Sequence, residues 1–415
     1  MRTWHIATMV AVNLAAVALS AQGAPAEFRE VHLGMEVRIA ISATGPTAER
    51  AARAAYKRIA ALDDVLSDWR ASSEVRRLQA HKVGTWIPVS PALGQVLALA
   101  LDVARASDGA FDPTVGPLTA LWREAQRTGQ PIPDAARVAA TKRVGYRFVE
   151  LDTVNCRVRF LRDSMRLDLG AVAKGWIIDR ALDEVRRLGI EAALIEAGGD
   201  LAVFGAPAGT RGWRISVPRE QGDTVLVLTH GAVSTSGPSE QSITRADGAR
   251  ESHVFMPQTG YGLTNGRSMT VIGASAAITD ALATALTLVP MERVASLATR
   301  YGVTVIQTQT PESAAARDVV QPALRQSRRT GLPYVNAPRM SRSGHRIVSS
   351  PTSRRAPGSR RFGSGGSRIE GFRGRGVTRN LRLAILHFAA ADPQTHYIRH
   401  HSFPLGEMTC RTAAR

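Results

Sequence analysis

The sequence predicts an α+β, or mixed α/β, fold. Apolar residues recur at helical spacing in several long segments, and shorter runs that alternate or are rich in β-branched residues lie between them. Glycine and proline stand at the ends of many of these segments, where turns are expected. Apolar residues make up 44% of the 415 residues, so the chain can bury a sizeable core.

The first expected elements are a strand and two helices. Residues 36–42 alternate as a strand does, whereas residues 47–66 place apolar side chains at helical spacing. Ser90 followed by Pro91 is typical of a helix N-terminus, because serine caps the free amides and proline fits the first turn. An apolar stripe follows and predicts a helix over 90–107.

The remaining elements mix the two types. We expect strands at 147–151, 158–161, 192–197, 201–204, 213–217 and 225–228, and helices at 174–188, 280–289 and 291–301. From about residue 307 the composition changes to Arg, Ser, Gly and Pro, which bury little apolar area. Residues 311–415 are therefore predicted to form a disordered basic C-terminal tail.

The positive charge of the chain is concentrated in that tail. The formal net charge is +18, but residues 311–415 hold nineteen Arg, no Lys and five acids, a net of +14. The first 310 residues are nearly balanced at +4 and show no motif that reads nucleic-acid grooves. We therefore expect no nucleic-acid partner, and binding of an anionic surface through the tail is an alternative hypothesis.

The N-terminus has the features of a secretory signal peptide. A basic start at Arg2 precedes an apolar run over 6–19 and a stretch of small residues, which predicts a signal peptide over 1–26. No cysteine lies near the cleavage region, so no lipoprotein is expected. Since no later run of about 18 apolar residues predicts a membrane span, we expect a soluble periplasmic protein.

A strand–helix unit around Asp168 and Lys174 is the most informative local feature. Residues 166–169 are expected to end a strand, and the small residues at 170–173 would let another group approach the start of a helix. Asp168 and Lys174, together with the glycine turn at 198–200, suit the binding of an anionic cofactor. Ordinary turns between a strand and a helix explain the same glycines equally well. The unit alone does not decide between a cofactor site and such turns.

A second candidate is the pair Asp280 and Thr284, four residues apart on a predicted helix and therefore on one face. A carboxylate and a hydroxyl suit Mg²⁺, which takes hard oxygen ligands and completes its octahedron with phosphate and water. Alternatively, Asp280 favours the helix N-terminus through the helix dipole and Thr284 is a small packing residue.

Two further segments carry candidate groups. The loop at 109–118 contains prolines and glycines that suit either a rigid functional loop or a plain connector between helices. Small hydroxyl residues at 234–236, with His253 and the turn at 257–260, could bind phosphate and move a proton. A lone histidine is more often structural.

In this order, the segments resemble the ApbE-type FAD:protein FMN transferase family. The resemblance runs from about Leu33 to Ile306. Its pieces are 66–69 with Ser73 and Glu74, 111–114, 168–174, 198–200, 235–237, His253 with 257–260, and 280–284. Each piece is weak singly, but their order and spacing are specific.

The resemblance implies a single ApbE-like, T-fold-related catalytic domain over 27–310. It implies an enzyme that takes FAD as substrate, uses Mg²⁺, and transfers the FMN half to a threonine or serine hydroxyl of an exported or membrane flavoprotein, releasing AMP. The alternative is an FAD pyrophosphatase, in which water replaces the hydroxyl, or a periplasmic flavin-binding protein without acceptor transfer.

The resemblance also implies roles for particular residues. The residues that would contact FAD are Trp69, Ala110, Phe111, Asp112, Asp168, Lys174 and Phe255. The metal would be held by the carbonyl of Ala171 and by the side chains of Asp280 and Thr284. His253 would be the base that removes the proton of the acceptor hydroxyl.

The chain also departs from the pattern of the family. It has Met256 where relatives have an aspartate before the Pro-x-Thr-Gly turn, and we expect the missing carboxylate to loosen the turn that aims His253. Further departures fall at Leu33, Met35 and 238–241.

Overall fold

The chain folds around a seven-stranded antiparallel sheet. The computed structural model describes residues 24–309, except 81, 218–222, 238–241, 246, 247, 249, 265 and 266. The expected signal peptide, up to residue 23, the expected tail and the departure at 238–241 therefore lie outside the described residues.

The strands of this part of the chain are short. They are β1 (Ala26–His32), β2 (Met35–Ile41), β3 (Ile87–Pro88), β4 (Val149–Asp152), β5 (Arg157–Phe160), β6 (Ala193–Ala197), β7 (Asp200–Phe204), β8 (Trp213–Val217), β9 (Thr224–Leu228), β10 (His230–Ser236), β11 (Ser242–Thr244), β12 (Arg250–Ser252), β13 (Arg267–Gly273) and β14 (Thr304–Gln309).

The α-helices range from one turn to six. They are α1 (Gly45–Leu66), α2 (Glu74–Leu78), α3 (Pro91–Ala106), α4 (Gly116–Thr128), α5 (Asp134–Thr141), α6 (Gly170–Arg187), α7 (Ala276–Leu288) and α8 (Met291–Tyr301). Within the described residues, no helix combines the length and the apolar character needed to cross a membrane.

The main sheet has the strand order β1-β2-β6-β7-β10-β13-β14. Its central hairpin joins β6 to β7 through Gly198 and Gly199, whose φ angles are 55° and 87°. A two-residue turn with two positive φ values matches the twist of the flanking strands and favours glycine at both positions. The turn places Asp200 at the first position of β7, opposite Ala197.

Both faces of the central strands are buried. On one face, Leu194, Leu201 and Val203 pack in a cluster with the inward side chains of the β8–β9 hairpin. On the other face, Ile195 and Ala202 pack in the main core, which α1, α6 and α7 cover. Because successive strand residues point to opposite faces, a strand covered on both sides reads as a continuous apolar run.

A smaller apolar cluster lies away from the sheet and is called here the satellite cluster. It joins α4 and α5 to β11 and to the turn after β12, and consists of Leu118, Trp122, Ala125, Ile132, Ala140, Val144, Ile243 and Phe255. Two members of the satellite cluster, Trp122 and Phe255, also line a cavity.

Most of the predicted elements are confirmed. The strand at Trp213–Val217 and the helix at Met291–Tyr301 have the predicted bounds, and Ser90 caps α3 by accepting the amide of Leu93. Gly189 follows α6 with a φ of 78°, as expected of a residue just past a helix C-terminus.

Other predictions were wrong in position. Residues 166–169 do not end a strand, since Arg166 forms only an isolated bridge to Val115. Helix α6 begins at Gly170 and α7 begins at Ala276, each four residues before the predicted start. Asp280 therefore lies in the second turn of α7, which removes the interpretation of it as an N-terminal acid.

Three helices were not predicted at all, and the shortest of them is α2. The prolines and glycines of 109–118 indicated a loop, yet α4 begins within that segment with Pro117 in its first turn, where proline is tolerated. Helix α5 follows after a short connection. The loop at 109–118 is thus a connector between two helices as well as part of the cavity wall.

Candidate active site

One cavity of about 360 Å³ is lined by all the site residues that the sequence predicted. They are Trp69, Ala110, Phe111, Asp112, Asp168, Ala171, Lys174, His253, Phe255, Asp280 and Thr284. These residues come from five separate parts of the chain, so their meeting is a property of the fold. The cavity lies where α4, α6, α7 and the turn after β12 come together.

The close crossing of α6 and α7 forms one side of the cavity. The amide of Gly175 on α6 donates a hydrogen bond to Oδ2 of Asp280 on α7 at 2.9 Å. A Cβ atom at Gly175 would overlap the carbonyl oxygen of Ala276, so only glycine lets the two helices approach this closely. The crossing thus brings the start of α6 against Asp280.

Asp280 lies in a buried, charged environment. Burial raises the pKa of its carboxyl to about 8, and the negative charge of nearby Asp200 adds to the rise, whereas Lys174 and the Gly175 amide oppose it. Lys174 Nζ lies 2.6 Å from Asp200 Oδ2 and pairs with that carboxylate. When Asp280 is ionised, two carboxylates face one lysine, and a bound cation would balance the remaining negative charge.

The oxygen atoms at this crossing fit a divalent cation. Asp280 supplies a carboxylate and Thr284, one turn later, supplies a hydroxyl that lies 3.5 Å from the hydroxyl of Ser236. Ala171 lies in the first turn of α6, and its regular helical donor, the Gly175 amide, also reaches Asp280. A carboxylate, a hydroxyl and a carbonyl are the hard ligands that Mg²⁺ takes.

Asp168 holds the start of α6. Its Oδ1 accepts the amide of Gly170 at 2.9 Å, and its Oδ2 accepts the hydroxyl of Thr119 on α4 at 2.5 Å. The carboxylate therefore ties two helices together at the cavity wall. Thr119 was not predicted from the sequence, because α4 was not recognised.

Asp112 shapes the loop that precedes α4. Its Oδ1 accepts the amide and the hydroxyl of Thr114, and its Oδ2 accepts the amide of Tyr146 at 2.8 Å. Burial raises the pKa of this carboxyl, while the bonds from Thr114 and Tyr146 oppose the rise. Both carboxylate oxygens are thus engaged within the protein, and Asp112 fixes the position of Ala110 and Phe111.

The mouth of the cavity carries an exposed tryptophan. Trp69 is 71% exposed, and the guanidinium carbon of Arg123 lies 3.5 Å from its ring centroid. Arg123 Nη1 pairs with Oδ2 of Asp68 at 2.6 Å. Burial, and then the charge of Asp168, raises the pKa of the Asp68 carboxyl, whereas Arg123 lowers it.

Arg123 and Trp122 line the cavity but were missed from the sequence. Both stand on α4, whose apolar residues Leu118, Trp122 and Ala125 recur at helical spacing. This pattern was the signal that could have revealed them, but the glycines and prolines before it indicated a loop.

His253 stands on the turn after β12 and lines the same cavity as the helix crossing. Its ring lies edge-on to Trp122, with 6.1 Å between the ring centroids. Two residues later, Phe255 is buried in the satellite cluster and forms an isolated bridge to Gly262. The turn itself is closed by the backbone, since the Met256 amide donates to the Tyr261 carbonyl at 2.9 Å.

The comparison with protein families identifies the same region. A model of the ApbE family matches residues 33–307. An FAD:protein FMN transferase of Klebsiella pneumoniae is 34% identical over 227 residues, which are 52% of this chain and 68% of that protein. One of Salmonella typhimurium is 30% identical over 289 residues, which are 64% of this chain and 79% of that protein.

Solved structures agree in fold. The apo flavinyl transferase ApbE of Pseudomonas stutzeri superposes with a TM-score of 0.65 and 27% identity, covering 73% of this chain and 96% of that one. The ApbE protein of Thermotoga maritima superposes with a TM-score of 0.64 and 29% identity, covering 73% and 98%. The family match spans most of the chain and contains every residue of the cavity wall, so the chain belongs to the ApbE family.

Proposed function

We propose that the chain is a Mg²⁺-dependent FAD:protein FMN transferase. It would attach FMN from FAD through a phosphoester to a threonine or serine of an exported or membrane flavoprotein and release AMP. The observation that carries the proposal is one cavity whose wall contains both a set of hard oxygen atoms and a histidine. The names of the relatives support the same reaction.

The reaction breaks the phosphoanhydride bond of FAD and forms a phosphoester bond. The acceptor hydroxyl oxygen attacks the phosphorus of the FMN phosphate, the bond from that phosphorus to the AMP oxygen breaks, and AMP leaves. Because a threonine hydroxyl is a poor nucleophile at neutral pH, His253 takes its proton as the bond forms. General base catalysis of this kind contributes about 10²–10⁴ in rate.

The residues of the helix crossing would hold the metal. When bound, Mg²⁺ would neutralise charge on the diphosphate. Asp280, Thr284 and the Ala171 carbonyl would supply the ligands, and Gly175 keeps Asp280 in place through its amide. Lys174 neutralises the charge of Asp200, since its Nζ lies 2.6 Å from Asp200 Oδ2.

The remaining walls would bind the two ends of FAD. Trp69 offers an open aromatic face at the mouth, and Phe255 offers an apolar wall beside His253. Asp168 and Asp112 hold the helix start and the loop that carry Ala110 and Phe111. We propose that residues 27–310 form the catalytic domain, and that residues 1–26 direct it to the periplasm.

The decisive experiment supplies FAD and an acceptor flavoprotein to the purified chain, with and without Mg²⁺, and measures all products by mass. We expect AMP and a covalent, fluorescent adduct with the mass of FMN on a threonine or serine, only with Mg²⁺. The matched variants are Asp280→Asn, which removes a proposed metal ligand, and the control Asp183→Asn, which alters a half-buried acid on α6 that does not line the cavity.

The products also separate the alternative functions. Free FMN and AMP without an adduct would indicate an FAD pyrophosphatase. Unchanged FAD that remains bound would indicate a flavin-binding protein, and either result would contradict the proposed transfer.

A further inference from the structure

One arginine contacts both ends of the turn that carries His253. Arg137 on α5 is 3% exposed, and its Nη2 pairs with Oε1 of Glu251 at 3.1 Å. Its Nη1 donates to the carbonyl of Gly260 at 2.8 Å. One planar guanidinium thus joins the side chain of Glu251 to the backbone of Gly260, nine residues later in the sequence, and His253 lies between these two residues.

The same helix makes a second contact with this turn. The ring of Tyr261 lies under the Arg137 guanidinium, 4.1 Å from its carbon, and the Tyr261 hydroxyl donates to Asp134 at 3.0 Å. A Cβ atom at Gly260 would press against Thr141 and Leu118, and the φ of Gly260 is 73°. The far end of the turn is therefore fitted closely to α5.

Backbone hydrogen bonds connect these contacts with α5 to the position of His253. The amide of Ser252 donates to the Leu263 carbonyl, and the amide of Leu263 donates to the Val254 carbonyl, both at 2.9 Å. These bonds flank His253 on either side and make the segment a hairpin. A shift of Glu251 or Gly260 relative to α5 would therefore move the imidazole with it.

Stability alone does not account for the ion pair. Glu251 is 0% exposed and Arg137 nearly so, and removing two such charges from water carries a large desolvation penalty. Apolar residues of similar volume at buried ion pairs often stabilise a fold equally well or better. The charged pair adds a defined orientation of the hairpin relative to α5. The planar guanidinium holds its two acceptors, the Glu251 carboxylate and the Gly260 carbonyl, in one plane.

We propose that Arg137, together with Glu251, is a positioning residue that holds the His253 hairpin against α5 at the distance needed for proton transfer. The proposal rests on the proposed function and deepens it. The support for the hairpin comes from a neighbouring helix, through the contacts of Arg137 with Glu251 and Gly260.

The test measures turnover and FAD affinity of the full chain in four variants. They are Arg137→Lys, the double variant Arg137→Leu with Glu251→Leu, His253→Gln, and Arg137→Lys combined with His253→Gln. Arg127→Gln is the matched control, because Arg127 is exposed and pairs within α4. All assays are run well below the unfolding temperature of each variant.

We expect Arg137→Lys and the double leucine variant to lower kcat by about 10- to 100-fold, because a misplacement of about 1 Å costs rates of this order. KM for FAD should change less than about twofold, as Arg137 is absent from the cavity wall among the described residues. In the His253→Gln background, Arg137→Lys should cause no further loss, since both changes remove the same contribution. Losses that multiply, or an unchanged kcat with a lower Tm, would overturn the proposal.

A second measurement does not depend on transferase activity. The imidazole signals of His253 are followed by NMR in the wild type and in the double leucine variant. We expect one sharp set of signals in the wild type and shifted or broadened signals in the variant. Identical spectra would refute the positioning role, whereas a wild type that yields neither adduct nor AMP would refute only the proposed function.

Discussion

The two sides of the cavity are built in different ways. The part proposed to hold the metal, called the metal side, is the crossing of α6 and α7, which belongs to the main core and packs directly on the seven-stranded sheet. The part proposed to supply the base, called the base side, is a hairpin that packs on the satellite cluster and on the buried pair of Arg137 and Glu251. Damage to the metal side should therefore affect the fold, whereas damage to the base side should affect the rate.

The largest expected effect is that of Gly175→Ala, on the metal side. The added Cβ would overlap the backbone of Ala276, so the helices must separate and the position of Asp280 is lost. We expect a loss of stability of at least about 1–3 kcal/mol, the usual cost of overpacking, and no Mg²⁺-dependent activity. Thermal unfolding and a Mg²⁺ titration measure the two effects.

The matched control for this variant is Gly94→Ala on α3. Its Cβ would lie 3.8 Å from a methyl group of Val89, an ordinary contact. We expect it to be neutral, or to stabilise the helix by about 0.5–1 kcal/mol. Equal destabilisation of both variants would show that the close helix crossing has no special role.

On the base side, His253→Gln should leave the fold intact and slow the reaction. We expect kcat to fall by about 10²–10⁴, the usual contribution of a general base, with the Kd for FAD nearly unchanged. Flavin fluorescence titration and product analysis measure the two quantities. His32→Gln is the control of the same residue type, because His32 pairs with Glu30 on β1. A large loss of FAD affinity in His253→Gln would contradict the division between the two sides.

Asp112→Asn tests the loop that joins the two sides. Because Asn has a single acceptor oxygen for three donors, we expect a loss of about 1–3 kcal/mol of stability. Asp108→Asn, at an exposed acid four residues earlier, is the control.

The same variant should also change the pH dependence of stability. The pKa of Asp112 is raised in the native state, so the wild type loses stability as the pH rises from the unfolded value of 3.8 toward the native one. The Asp112→Asn variant lacks this loss. The deficit, which is the difference in unfolding free energy between the wild type and the variant, should therefore narrow as the pH rises. Unfolding free energies across this range measure the deficit, and a deficit that widens with pH would contradict the raised pKa.

The smallest expected effect is that of Met256→Asp. The family pattern suggests that an acid here would improve activity. In the structure, however, the amides of Met256 and Gly260 already close the turn with backbone bonds of 2.9 and 2.8 Å. We expect kcat to change less than about threefold, in the range of substitutions that remove no buried contact. A much larger gain would show that the hairpin is poorly held without the acid.

Local sequence signals predicted the helices that have clear stripes and caps. α3 and α8 were predicted closely, since their apolar spacing lies within the helix itself, and a proline opens α3 and stands just before α8. The start of α6 was missed because Gly170 has a poor intrinsic preference for helix, and its amide is held by Asp168. Helix α4 was missed because its first residues are glycine and proline.

The sequence by itself determined the mixed α/β class and many of the residues that line the cavity, although not those on α4. Helical periodicity, glycine turns and the order of short motifs are local properties, and they are therefore visible in the sequence. Only the tertiary structure decided how these residues are used. It directed the Asp112 carboxylate into its own loop, placed Asp200 beside Asp280, and brought Arg137 to the His253 hairpin. These contacts join residues that are distant in the sequence. They depend on which side chains are buried together in the fold, and no local sequence pattern contains that information.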